Sequence, residues 1–103
     1  MAVCTTICTG TAKYYIGAVG VEIIMETCLD ITEATKVAIE VEKPDGTEDE
    51  WIGEIYGTTQ IKYTTIAGDL DQAGKYYVQA YVETATSIGY GTTTSFNVTG
   101  LFG

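Results

Sequence analysis

Period two runs through this chain, and period two admits few folds. In "KVAIEVEK", Val37, Ile39 and Val41 fall on one side while Lys36, Ala38, Glu40 and Glu42 fall on the other, the alternation of a strand with one dry and one wet face. "VEIIMET" sets Val21, Ile23 and Met25 against Glu22 and Glu26, with Ile24 as the exception. "YYVQAYVE" sets Tyr76, Val78, Ala80 and Val82 against Tyr77, Gln79, Tyr81 and Glu83. "QIKYTTI" alternates through Ile61, Tyr63 and Thr65, and "TTTSFNV" through Thr94, Phe96 and Val98. The one helix-permissive stretch, "ITEATK", is too short to carry an apolar face.

Turn chemistry separates these runs. In "KPDGT", Pro44 fixes its own φ, Asp45 can bond nearby backbone, and Gly46 accepts a positive φ. The returning strand would carry Trp51, Gly53 and Ile55 on one face, with Glu48, Asp49 and Glu50 as an acidic rim at its start. Strands therefore begin near residues 14, 20, 36, 48, 60, 75 and 92. About seven short strands separated by turn signals predict an all-β sandwich of antiparallel sheets. With 103 residues and no linker or repeat, one domain is expected, over residues 14–99, with an N-terminal arm at 1–13 and a C-terminal tail at 100–103.

Charge narrows the partners. Fourteen acidic residues against five basic ones, with no histidine, give a net charge of −9. Nucleic acid and anionic membranes both demand the opposite sign, so neither is an expected partner. A basic protein surface, a divalent cation or simple solubility would all suit this field. The opening "MAVCTTICTGTAK" lacks the basic region and sustained apolar run of a secretory signal, and no run approaches a membrane span, so synthesis into cytoplasm is expected. Three cysteines, Cys4, Cys8 and Cys28, lack paired CxxC spacing. Reduced thiols are the expectation, a bridge from Cys4 or Cys8 to Cys28 the alternative.

Catalytic chemistry is hard to assemble from these residues. Without histidine the usual general base and triad partner are missing, and Ser87 and Ser95 are the only serines. Asp69 with Asp71, and the Glu48–Glu50 run, offer paired carboxylates, but they stand at turns and a strand start, where acids satisfy backbone amides or face water. Neither set has an EF-hand spacing. No enzyme activity, catalytic residue, cofactor or metal is expected. Asn97 in "NVT" matches a glycosylation acceptor but reads as a strand residue.

"DQAGKYYV" resembles the immunoglobulin-type phrase in which an acid, a small residue and a glycine precede a tyrosine at the start of a strand. That resemblance makes Tyr76 a corner tyrosine, its ring in the core and its hydroxyl bonded to backbone upstream. The position two later, a disulfide cysteine in antibody domains, is Val78. Over residues 15–98, "YIGAVG", "LDITEATKVAIEVEKPDGTE", "IKYTTIAGDLDQAGKYYVQAYVE" and the final "FNV" resemble the small immunoglobulin-like domain at the N-terminus of upper-baseplate proteins of tailed bacteriophages and in stand-alone phage proteins. The resemblance implies a non-enzymatic virion protein of the tail, baseplate or capsid decoration, whose partners are other virion proteins and copies of itself.

Candidate contact residues follow from the pattern. Tyr77 and Tyr81 fall on the outward face of their strand, and tyrosine is enriched at protein interfaces. Tyr14, Tyr15, Tyr90 and the apolar tail residues Leu101 and Phe102 extend the candidate surface. A free-standing adhesive or carbohydrate-binding module, using the tyrosines and the "TSIGYGTT" loop, is the alternative to a virion part.

Overall fold

The computed structural model describes residues 3–7 and 14–101. Among them there is no helix, and the strands are β1 (Thr6–Ile7), β2 (Tyr14–Tyr15), β3 (Glu22–Glu26), β4 (Lys36–Glu42), β5 (Glu48–Ile52), β6 (Glu54–Tyr56), β7 (Gln60–Thr64), β8 (Gly74–Glu83), β9 (Ile88–Tyr90) and β10 (Thr94–Thr99). One sheet has the order β1-β3-β7-β6; the other runs β2-β10-β8-β4-β5, with β9 beside the end of β8. The result is an immunoglobulin-like β-sandwich. Its inner faces meet through Ile23, Met25 and Ile61 from the first sheet and Val37, Ile39, Trp51, Tyr76, Val78, Val82 and Phe96 from the second. One pairing departs from the antiparallel expectation: β2 lies parallel to β10, Tyr14 opposite Val98.

The seven expected strands are present, and three short ones join them. Alternation carries the returning strand on through Ile55, and Gly53 explains why β6 is instead a strand of the other sheet. A Cβ there would stand 2.6 Å from the Ile61 side chain and 3.0 Å from the Lys62 carbonyl, so only glycine lets the chain turn out of one sheet and into the other. Trp51 is consequently buried while Ile55, expected on the same face, is exposed. The β4–β5 turn behaves as its residues dictate. Gly46 has φ +89°, and Asp45 Oδ1 accepts from both the Thr47 amide (3.0 Å) and its hydroxyl (2.6 Å).

The acids of the β7–β8 connection serve the fold. Asp69 Oδ2 accepts hydrogen bonds from the Ile66 amide (2.8 Å) and the Tyr63 hydroxyl, and Asp71 pairs with Lys43 at 2.8 Å. Tyr76 is fully buried, and its hydroxyl accepts from the Gln72 amide at 3.1 Å, the geometry of a tyrosine corner. Tyr76→Phe leaves that amide without its partner and is expected to cost about 1–3 kcal/mol. A urea titration reads this loss directly.

The cysteine expectation is corrected. Cys4 and Cys28 form a disulfide, with Cα atoms 5.4 Å apart. The reason is the pairing of β1 with β3, Thr6 opposite Glu26 and Ile7 opposite Met25, which brings the segment just before β1 beside the segment just after β3. Cys8 lies outside the described residues.

Candidate interaction surface

The outer face of the six-stranded sheet is built by register. β4 pairs with β5 so that Glu40 stands opposite Glu50 and Glu42 opposite Glu48. On its other side, β4 sets Glu40 beside Gln79 and Glu42 beside Tyr77 of β8. Two cross-strand rows of carboxylates therefore end on an exposed tyrosine and a glutamine. They line an open groove of about 650 Å³, completed by Thr93.

Like charges directly opposite one another destabilise a sheet, and the groove relieves this partly by protonation. Partial burial, with the Glu50 carboxylate beside it, raises the affinity of Glu40 for its proton. Glu50 is held below its ordinary value by a hydrogen bond from Glu40 and by Lys36, whose Nζ lies 3.2 Å away. Because the folded pKa of Glu40 lies above the unfolded one, its stabilising contribution is complete below about pH 4.3 and is lost as pH rises through the folded value. Glu40→Gln mimics the protonated acid. The variant should be more stable than the parent at pH 7 by about 0.5–1 kcal/mol, with the gain vanishing near pH 4. Urea titrations across that range test the sign.

Above the groove the same face becomes aromatic. One row crosses β5, β4, β8 and β9 as Ile52, Ala38, Tyr81 and Tyr90. Tyr81 was expected to be exposed, but it is only 8% accessible. The Tyr90 ring packs edge-on against it at 5.3 Å, and Lys36 Nζ sits 5.3 Å from its ring centre. Its hydroxyl donates to Glu83 at 2.6 Å, and this bond pushes the phenol up to about 12. Outward orientation was right and exposure wrong, because β9 lies in the segment read as a loop.

The remaining candidate contacts divide. Tyr77 (45% accessible) and Tyr90 (59%) are open. Tyr15 is exposed on β2 and stands beside Thr99 on this face. Tyr14 is corrected: it is buried, its ring 5.0 Å from that of Phe96, since adjacent strand residues face opposite ways and only one tyrosine of the pair can face water. Leu101 is exposed, and Phe102 lies outside the described residues. Glu40 and Glu42 were missed as site residues. The "KPDGT" turn carried the signal, because its closure between Lys43 and Thr47 fixes Glu42 opposite Glu48.

This geometry can hold cationic groups, stack one ring and supply amide hydrogen bonds. Among the described residues no group of three or more His, Cys, Asp and Glu side chains is placed to hold a metal ion. No family model and no curated protein matches the chain. In three dimensions the chain is similar to CopC. The crystal structure of CopC from Methylosinus trichosporium OB3b aligns with a TM-score of 0.63, covering 98% of this chain and 97% of that one at 13% identity. At that identity the likeness to CopC carries the fold alone. It spans nearly the whole of both chains, so the sandwich as a unit is what the two share.

Proposed function

We propose that the chain is a non-catalytic structural protein of a bacteriophage or phage-like virion, a tail, baseplate or capsid-accessory component that works by docking onto neighbouring virion proteins. The observation that carries this reading is the open outer face of the six-stranded sheet, where an acidic groove ends on exposed Tyr77. Such a face suits a basic neighbour, because complementary charge steers encounter and fixes register while an exposed aromatic residue supplies contact area. Two further features support it. The resemblance of residues 15–98 to phage immunoglobulin-like domains supplies the setting, and the Cys4–Cys28 disulfide suits a particle released into an oxidising medium.

Purified particles from the source phage should contain the chain at a fixed copy number, located by imaging as regular density on the tail, baseplate or capsid. Its absence from particles overturns the reading. Within the particle, Glu42→Lys combined with Glu48→Lys should reduce incorporation at least roughly tenfold, the scale of about 1.4 kcal/mol in binding, while the isolated variant keeps its melting temperature. A carbohydrate-binding module is the second reading, favoured by the exposed Tyr77 ring beside carboxylates and Gln79. It predicts glycan-array binding that disappears with Tyr77→Ala.

A further inference from the structure

The N-terminal segment, at the edge of the first sheet beside β3, reaches a break in the six-stranded sheet. Between β9 and β10 the ladder to β8 breaks. The Gly91 amide still donates to the Ala80 carbonyl at 2.8 Å, but the Gly91 carbonyl turns to accept from the Gln79 side-chain amide at 3.0 Å. The Ala80 amide, which points into this break, donates at 3.0 Å to Thr5 Oγ1. A side chain from the first five residues of the chain thus substitutes for a strand inside the ladder of the six-stranded sheet.

The slot is shaped for this segment. A Cβ on Gly91 would stand 2.0 Å from Thr5 Oγ1 and 2.7 Å from the Cys4 carbonyl, so any side chain at position 91 would close it. Thr5 is 5% accessible; its amide donates to Thr92 Oγ1 at 3.3 Å and the Cys4 amide to the Thr27 carbonyl at 2.8 Å. Among the described residues, β1 also pairs with β3 through Thr6 opposite Glu26 and Ile7 opposite Met25. The covalent latch, Cys4–Cys28, adds a bond to these contacts.

We propose that this slot is a strand-acceptor site that, once the latch opens, takes the Val3–Ile7 segment of a second copy of this chain. The partner is specified by the slot itself. It requires a small hydroxyl residue at the depth of Ala80, a cysteine immediately before it, and a strand that pairs with Met25 and Glu26, and every copy of the chain carries that sequence. The exchanged contacts are the same as those made within one copy, so exchange costs little beyond association. Opening takes two electrons and two protons from a dithiol reductant, which becomes a disulfide as Cys4 and Cys28 become thiols. Closing on the neighbour transfers two electrons and two protons to a disulfide oxidant and joins Cys4 of one copy to Cys28 of the other. The inference rests on the assembly reading only in that it supplies a contact between copies.

Two full-length variants test it. One carries Cys4→Ser and Cys8→Ser and keeps Cys28, so it can only accept; the other carries Cys8→Ser and Cys28→Ser and keeps Cys4, so it can only donate. Mixed in a glutathione redox buffer and run on a non-reducing gel, they should form a heterodimer several-fold above the two-to-one excess of random pairing over each homodimer. Gly91→Ala should abolish that excess when placed in the acceptor and leave it intact in the donor. Thr5→Val should do the reverse, without touching the acceptor's fold. Random pairing, or an excess indifferent to where these substitutions sit, overturns the proposal. Chains that behave randomly here but are present in particles would overturn the exchange and leave the virion reading standing.

Discussion

Trp51→Ala should remove about 3–5 kcal/mol of stability, the range for truncating a buried aromatic residue and a large share of the roughly 5–15 kcal/mol available to a small domain. The size of the effect follows from how β5 is held. Glu48, Asp49, Glu50 and Ile52 are all exposed, so Trp51 is the residue of this edge strand that enters the core. Its ring stacks on Tyr63 of the opposite sheet at 5.0 Å, with planes 10° apart, and meets Phe96 at 6.4 Å. The indole N–H donates to Asp49 Oδ2 at 3.2 Å, which ties the acidic rim to the core residue.

Removing the indole therefore reaches the surface. With Trp51 truncated, β5 keeps its ladder to β4 but loses its inward anchor, and the cross-strand pairs Glu40–Glu50 and Glu42–Glu48 press it outward. Amide exchange should accelerate across residues 48–52 well before it accelerates in β8. Trp51→Phe, which keeps a ring against Tyr63, should recover more than half the lost stability. A loss below about 1 kcal/mol in urea titration would mean that β5 is held by its ladder alone. The groove and the core are thus linked through one residue, and a partner that clamps Glu48 and Glu50 would stabilise the sandwich by mass action.

The parts of this fold that were legible in the sequence are those where one residue decides one face. Alternation along β4 and β8 places Val37, Ile39, Val41, Tyr76, Val78, Ala80 and Val82 inward, and all are buried. What escaped were features that depend on two distant segments meeting. β6 leaves β5 because Gly53 must pass close to Ile61, and no periodicity at 48–56 records that neighbour. Tyr81 is covered by Tyr90, but the short strand that brings Tyr90 there has only three residues, too few to show a period. The Tyr14–Tyr15 strand has two among the described residues, and period two states that they face apart without stating which faces in. The acidic groove was half visible: Glu48 to Glu50 stood out as a run, while their partners Glu40 and Glu42 looked like the wet face of an ordinary strand until register joined them.

Replacing both Cys4 and Cys28 with serine should cost roughly 3 kcal/mol, the chain-entropy scale for a closed loop of this length, given a sequence separation of 24. For a domain of this size that lowers the melting temperature by more than roughly 10 °C, measured with Cys8 also replaced so that no thiol remains to exchange. The distribution of the loss is more telling than its size. Cys28 adopts φ +61° and donates its amide to Glu26 Oε2 at 2.8 Å, so the β3 end of the latch is set by local geometry whether or not Cys4 is attached. At the other end, the segment from Val3 to Ile7 is held by contacts with distant parts of the chain: its pairing with β3, the Cys4 amide on the Thr27 carbonyl, Thr5 in the Gly91 slot and the bridge itself. Without the bridge, the Ala80 amide should exchange far faster than those of Ile39 and Val78, which stay protected until global unfolding. Uniform loss of protection across all three would show instead that the arm and the sandwich unfold as one unit, because the Thr5 contact is then as firm as the core.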